Sequence, residues 1–149
     1  MTGEAARRTA PQTVTIAVRL MYAGAAATAI GMVISVVGVG LGMATIRASH
    51  PTATPAALHS TQTLLIIIAV LSGLAETALW LVMARANRNG LKWARTVAST
   101  LFLLSSWNLV DHLLGTITVP NLTYTAVIWL IGLGAICFLW QPESRTYFG

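Results

Sequence analysis

Four apolar stretches, each long enough to cross a lipid bilayer as a helix, dominate this sequence of 149 residues. A transmembrane helix needs about 20 mostly apolar residues, and the stretches run over residues 20–46, 61–84, 91–116 and 122–140. Hydrophobic residues make up 56% of the chain and charged residues only 9%, which leaves too little polar sequence to cover a soluble core. The sequence therefore predicts an all-α protein built as a bundle of four transmembrane helices.

The helices are predicted at about residues 15–46, 61–86, 91–117 and 122–141. Residues 1–12 are small and polar and predict a disordered tail, so a single membrane domain is expected over residues 13–149. The first apolar stretch exceeds the roughly 7–15 residues of a secretory signal peptide and predicts an uncleaved helix. Two prolines discourage helix between residues 47 and 60, where we expect a loop. Asn87, Asn89 and Gly90 are typical turn residues and predict a tight turn between the second and third helices.

Residues 83–95 contain four of the nine basic side chains and no acidic one. Short basic clusters also occur in nucleic-acid-binding proteins, but the apolar composition favours a lipid bilayer over nucleic acid as the partner. Short cytoplasmic loops of membrane proteins retain Lys and Arg, and this bias sets helix orientation. With both termini in the cytoplasm, only Arg47 falls outside, so we predict this topology in the plasma membrane. We call the four anchoring residues the basic loop: Arg85, Arg88, Lys92 and Arg95.

Small residues recur every four positions along the first predicted helix at Ala23, Ala27, Gly31 and Ser35, and Gly38 and Gly42 continue the pattern as a Gly-x-x-x-Gly motif. Helix backbones approach closely at such positions, because lipid provides no hydrophobic drive for helix association. We therefore predict a helix-packing face that includes Gly31, Gly38 and Gly42. Its partner is either another helix of the same chain, which is the commoner case, or a second subunit.

An ionisable residue, Glu76, interrupts the second apolar stretch near its middle. Ala69, Ser72, Gly73 and Trp80 lie around it at helical spacing and form a small, partly polar face that suits a bundle interior. Ionisable residues at this depth are energetically expensive and are functional candidates by default. Two interpretations remain open: a protonated carboxyl hydrogen-bonded to a neighbouring helix, or a group that binds a proton or cation.

A second pair of ionisable residues, Asp111 and His112, lies near the outer end of the third predicted helix, beside Ser105 and Asn108. Asp and His together can pass protons or hold an ion, because His titrates near neutrality. Water at the nearby interface can also satisfy them. We therefore favour an interhelical polar network at this end of the helix.

Metal and cofactor chemistry finds little support in the sequence. His50 and His59 have no carboxylate or cysteine beside them, whereas zinc sites use three or four ligands. The chain contains no glycine-rich phosphate loop and no nucleophile elbow. The sequence thus predicts no metal, no cofactor and no enzymatic activity.

Two motifs carry a resemblance to a known family. Ala-Asn-x-x-Gly-x-x-Trp-Ala-Arg covers residues 86–95, and Trp-x-Pro-x-Ser-x-x-Tyr-Phe covers residues 140–148. In these motifs, and in the early segment 20–30, the chain resembles small actinobacterial four-helix integral membrane proteins of unassigned function. The resemblance implies an inner-membrane protein and supplies no activity.

Two classes of function remain. The first is a non-enzymatic integral membrane protein that associates with itself or with a larger membrane complex. The second is a small transporter or channel subunit in which Glu76 binds a proton or cation. The small residues of the first helix and the absence of recognisable catalytic groups favour the first class.

Overall fold

A computed structural model of the chain describes residues 10–114 and 119–145. For residues 119–122 and for Asn108, Asp111, His112 and Arg145, it describes only the backbone. Most of the predicted disordered tail, residues 1–9, lies outside the described residues, as do Tyr147 and Phe148 of the second motif. All regular secondary structure in the described ranges is helical, so the all-α prediction is confirmed.

The helices follow one another along the chain as α1 (Gln12–Ser49), α2 (Pro55–Arg88), α3 (Lys92–Leu114), α4 (Val119–Leu139) and the short α5 (Pro142–Arg145). Two of them, α1 and α2, are long and apolar enough to cross a membrane, with mean hydropathies of 2.1 and 2.2 over their most apolar segments. Almost none of those segments is buried, which distinguishes them from the core helices of a soluble protein. Within α4, residues 123–139 form a shorter apolar helix.

Large aliphatic side chains cover the outside of α1 and α2. Ile34 and Leu41 are 64% and 78% exposed, and Ile68 and Leu71 are 61% and 63% exposed. Soluble monomers rarely present contiguous apolar surface on this scale. An apolar surrounding is therefore the natural medium for both helices.

The connection between α1 and α2 is shorter than the sequence predicted. The loop predicted over residues 47–60 covers only residues 50–54, because α1 continues to Ser49 and α2 begins at Pro55. Proline fits the first position of a helix, where its missing N–H removes no internal hydrogen bond. Thr54 caps the same helix, since its Oγ1 accepts a hydrogen bond from the backbone N–H of Ala57 at 3.2 Å.

The turn between α2 and α3 has the hydrogen bonds of a Schellman motif. The N–H of Gly90 donates to the carbonyl of Asn87 at 3.1 Å, and the N–H of Leu91 donates to the carbonyl of Ala86 at 3.2 Å. Gly90 has a φ of 66°, a left-handed conformation that glycine adopts without steric penalty. The predicted tight turn is confirmed, although Asn87 lies within α2 and only Asn89 and Gly90 form the turn itself.

The described chain divides into two compact units. The first unit contains residues 10–24, 80–114 and 119–145, and the second contains residues 25–79. The single membrane domain over residues 13–149 stays a prediction.

The first unit has a core of alanines interleaved with a few larger side chains. Alanines let helix backbones approach one another, while the larger side chains fill the space that remains between them. Its buried members are Val14, Ala17, Val18, Met21, Met83, Ala84, Ala86, Ala94, Ala98, Ala135 and Leu139. This core brings the start of α1, the end of α2, the start of α3 and the end of α4 together.

Candidate functional site

Both sequence motifs reach the same core in the first unit. Residues 86–95 supply the end of α2 and the start of α3, and the described part of the second motif supplies the turn after α4 and the helix α5. Several polar side chains lie at this junction and link the four segments by hydrogen bonds and one ring contact. We call them the loop–tail cluster: Thr13, Asn87, Arg95, Ser99, Trp140 and Ser144.

Trp140 ties the end of α4 to the start of α3. The guanidinium carbon of Arg95 lies 3.7 Å from the centroid of the Trp140 ring, within the range of a cation–π contact. The indole Nε1 of Trp140 donates a hydrogen bond to Ser99 Oγ at 2.9 Å. Ser99 Oγ in turn donates to the carbonyl of Arg95 at 3.0 Å. The two motifs are therefore joined by their own side chains.

A hydroxyl pair joins α5 to α1. Thr13 Oγ1 and Ser144 Oγ lie 2.9 Å apart, and Ser144 Oγ donates to the carbonyl of Phe138 at 3.0 Å. Because a hydroxyl has one hydrogen, Thr13 is the donor in the pair. Ser144 is fully buried and Thr13 is 7% exposed, so the pair satisfies two hydroxyls that would otherwise lose their hydration.

Asn87 is fully buried beneath the turn. Its Nδ2 donates to the carbonyl of Met83 at 2.8 Å and lies 3.8 Å from Met21 Sδ. Its Oδ1 has no hydrogen-bond partner among the described residues. An unsatisfied buried acceptor costs about 1–3 kcal/mol. The sequence predicted Asn87 in the turn, where water would have formed hydrogen bonds with its side-chain amide. Residue type alone does not show where the last turn of a helix ends, so the burial of Asn87 was missed.

The four members of the basic loop occupy two environments. Arg85, Arg88 and Lys92 are exposed around the α2–α3 turn, as expected of anchoring residues beside a membrane surface. Arg95 is half-buried against Trp140. Its role in packing was not evident from the sequence, because the Trp140 partner comes 45 residues later in the chain.

The three glycines of the predicted packing face of α1 lie in different surroundings. Gly31 is buried, but a Cβ at Gly38 or Gly42 would meet no described heavy atom within 4 Å. Gly31, Gly38 and Gly42 lie within about 40° of one another around the helix at 100° per residue, so they share one side of α1 and differ in what lies opposite them. The buried positions nearer the start of α1 include Met21, Gly24, Thr28 and Gly31.

Two other glycines make the close contacts within the units. A Cβ at Gly24 would lie 2.9 Å from the Trp80 ring, and a Cβ at Gly73 would lie 2.6 Å from Cβ and Cγ of Met32. Real Cβ atoms essentially never approach so closely. Gly73 lies about one turn before Glu76, on the small face that the sequence indicated there. Close helix packing was nevertheless predicted only for the glycines of α1.

Glu76 lies on the exposed side of α2. Ser72 and Ala75 beside it are exposed as well, whereas Gly73, about one helical turn earlier, is buried. No side chain in the described ranges forms a hydrogen bond or ion pair with its carboxyl group. Within the described chain this carboxyl is therefore exposed and without a partner, and its interior packing stays a prediction.

The Asp111–His112 pair cannot be placed, since the side chains of both residues lie outside the described part of the structure. A neighbouring polar contact is described one helical turn earlier in α3. Trp129 Nε1 donates to Ser106 Oγ at 2.8 Å, and the Trp129 ring lies 5.4 Å from that of Phe102. These contacts join α3 to α4, and the predicted interhelical network around Ser105 and Asn108 stays a prediction.

Chemically, the loop–tail cluster is a set of internal hydrogen bonds that fixes one end of the helices. Among the described residues, no three His, Cys, Asp or Glu side chains are grouped so that they could hold a metal ion. No protein-family model, curated protein or solved structure matches the chain. Its function is therefore inferred from its own residues.

Proposed function

We propose that this chain is an integral membrane protein that associates with itself or with a larger membrane complex and catalyses no reaction. The observation that carries the proposal is the open face of α1. Gly38 and Gly42 lie 40° apart around the helix and have empty space where a Cβ would be. Exposed aliphatic side chains flank them. Such a groove lets the backbone of another helix approach closely within lipid.

The lengths of the helices support four transmembrane spans. α3 has 23 residues and α4 has 21, which correspond to about 34 and 32 Å at 1.5 Å per residue. The hydrocarbon core of a bilayer is about 30 Å thick. On this proposal the chain also belongs with the small actinobacterial membrane proteins that its two motifs resemble, and it resides in the plasma membrane.

Both termini are proposed to lie in the cytoplasm, because the exposed Arg85, Arg88 and Lys92 surround the α2–α3 turn and basic residues favour that side. We expect a reporter that is active only outside the cytoplasm to be silent when fused after Gly149. The same reporter should be active when inserted between Pro51 and Pro55. The opposite pattern would reverse the orientation.

Leucine at Gly38 and Gly42 should abolish self-association, because its side chain fills the groove that a second helix would enter. Cross-linking in native membranes, followed by sizing in mild detergent, would measure this effect. We expect the association constant of the double variant to fall at least about tenfold, the change produced by losing about 1.4 kcal/mol of association free energy.

Gly40→Leu is the matched control for this test. A Cβ at Gly40 also meets no described atom within 4 Å, but Gly40 lies about 160° away from Gly38 around the helix. Gly40→Leu should keep the oligomer. Equal loss in both variants would indicate a general effect of leucine on α1 and would contradict the proposed groove. A monomeric wild-type chain would leave a larger complex as the partner, which purification from native membranes would reveal.

A second function is favoured by the environment of Glu76. An exposed carboxyl in the middle of an apolar helix, with no partner among the described residues, is costly when it faces lipid. A water-filled path between subunits would relieve that cost. We propose, as the alternative, a small transporter or channel subunit in which Glu76 binds a proton or cation.

A further inference from the structure

The open end of the α1–α2 pair in the second unit forms a cleft of about 350 Å³. Ligand pockets in proteins begin at about this size. Met43 and Leu58 supply apolar walls, and three side chains that can donate hydrogen bonds line the remainder: Arg47, His59 and Gln62. Arg47 comes from the last turn of α1, and the other two come from the first turns of α2.

The cleft carries a positive charge that the second unit does not balance. Arg47 is the only Lys or Arg between residues 25 and 79, and the only acidic residue in that range is Glu76. Glu76 lies fourteen residues beyond Gln62 on the same helix, which is about 20 Å at 1.5 Å per residue. That separation exceeds the Debye length of about 8 Å at physiological ionic strength. The counterion of Arg47 must therefore come from outside the unit.

The side chains that line the cleft are available for a ligand. Within the described chain, no hydrogen bond or ion pair involves the guanidinium of Arg47, the ring of His59 or the amide of Gln62. The first turn of α2 also begins beside them at Pro55, so the positive end of the helix dipole adds to the field of Arg47. Arg47 can hold two oxygen atoms of a phosphate at once.

The depth of the cleft along the helices suits a ligand that is polar at one end and apolar at the other. Gln62 lies two residues before the continuous apolar run that starts at Leu64. The polar side chains of the cleft are thus placed where the apolar surface of α2 ends. Met43 lies one turn before Arg47 on α1 and adds an apolar side chain to the cleft.

We propose that this cleft binds an anionic phosphate group, with Arg47 as the charged ligand and His59 and Gln62 as hydrogen-bond donors. The phosphate can come from an anionic phospholipid headgroup, whose acyl chain would lie along Met43 and the apolar run that starts at Leu64, or from a soluble phosphate. The lipid source rests on the proposed membrane insertion, whereas binding of soluble phosphate does not. This separates failure of the site from failure of the membrane proposal.

The test uses the full chain in a neutral, mild detergent and a phosphatidylglycerol that carries a photoreactive diazirine near the headgroup. We expect cross-links within residues 43–62, located by mass spectrometry, and about tenfold less labelling there in Arg47→Gln. That change corresponds to the loss of one charge-assisted hydrogen bond. Arg85→Gln removes the same charge from the basic loop and should leave the labelling of residues 43–62 unchanged.

Inorganic phosphate, titrated by calorimetry into the wild-type chain and Arg47→Gln, separates the two sources. Binding that requires Arg47 and competes with the lipid label supports the site with a soluble phosphate as its ligand. Labelling that resists millimolar phosphate but requires Arg47 supports a lipid headgroup. Equal labelling of wild type and Arg47→Gln, equal labelling by a photoreactive diacylglycerol that lacks a phosphate, or binding of neither probe would overturn the proposal.

Discussion

Alanine at Gly73 should destabilise the chain by about 1–3 kcal/mol, the usual penalty for adding atoms to a filled space. The new Cβ would lie 2.6 Å from both Cβ and Cγ of Met32. These atoms are close to the backbone of α1, so rotation of the Met32 side chain cannot remove the clash. The helices themselves would have to separate at their closest approach. Unfolding from mixed micelles by titration with a denaturing detergent would measure the change.

Alanine at Gly38 should instead stabilise the chain. A Cβ at Gly38 meets no described atom within 4 Å, and alanine is favoured over glycine in a helix by about 1 kcal/mol. Gly24→Ala should resemble Gly73→Ala, because its Cβ would lie 2.9 Å from the rigid Trp80 ring. Equal effects at Gly73 and Gly38 would show that helix propensity outweighs packing and would refute the assigned contact.

The helical architecture could be predicted from the sequence because it depends on local and cumulative properties. Long apolar runs predict long helices, and glycine after a run of helix formers predicts a left-handed helix end at Gly90. The start of α2 was misplaced because proline was taken as a helix breaker. Thr54 followed by Pro55 is instead a capping residue followed by a favourable first helical residue.

The contacts between helices were harder to predict, since they depend on which residues face each other across the fold. Spacing alone pointed to Gly38 and Gly42, although the close contacts are made at Gly24 and Gly73. The two sequence motifs contain most of the residues of the loop–tail cluster, but no local sequence feature shows that the Arg95 guanidinium stacks on Trp140. Such pairings become visible only when both helices are placed.

Glutamine at Glu76 should abolish proton-dependent flux if the alternative function is correct. The substitution removes the titrating group at almost constant volume. We expect flux into pH-dye-loaded liposomes to fall to the level of protein-free liposomes, while the oligomer and the helix content stay unchanged. Glu143→Gln, in the short helix α5, removes a carboxyl outside the apolar helices and should leave flux at the wild-type level.

Leucine at Glu76 distinguishes the remaining possibilities. If the exposed carboxyl hydrogen-bonds to a second subunit, leucine leaves that partner unsatisfied at a cost of about 1–3 kcal/mol and weakens the oligomer, whereas glutamine preserves it. If Glu76 faces lipid alone, leucine should favour the inserted state by about 3 kcal/mol, the difference between an acidic and an apolar side chain at mid-membrane. The chain would then become more stable, with its oligomeric state unchanged.

The order of stability among the three side chains therefore reports what covers this surface. If the chain is more stable with glutamate or glutamine at this position than with leucine, the carboxyl has a polar partner from another subunit, which supports association as the function. If the chain is most stable with leucine, the position faces lipid. Flux that survives in the glutamine variant would then eliminate the transport alternative. Loss of flux with equal stability of all three indicates water beside Glu76, which is the environment that a proton or cation path requires.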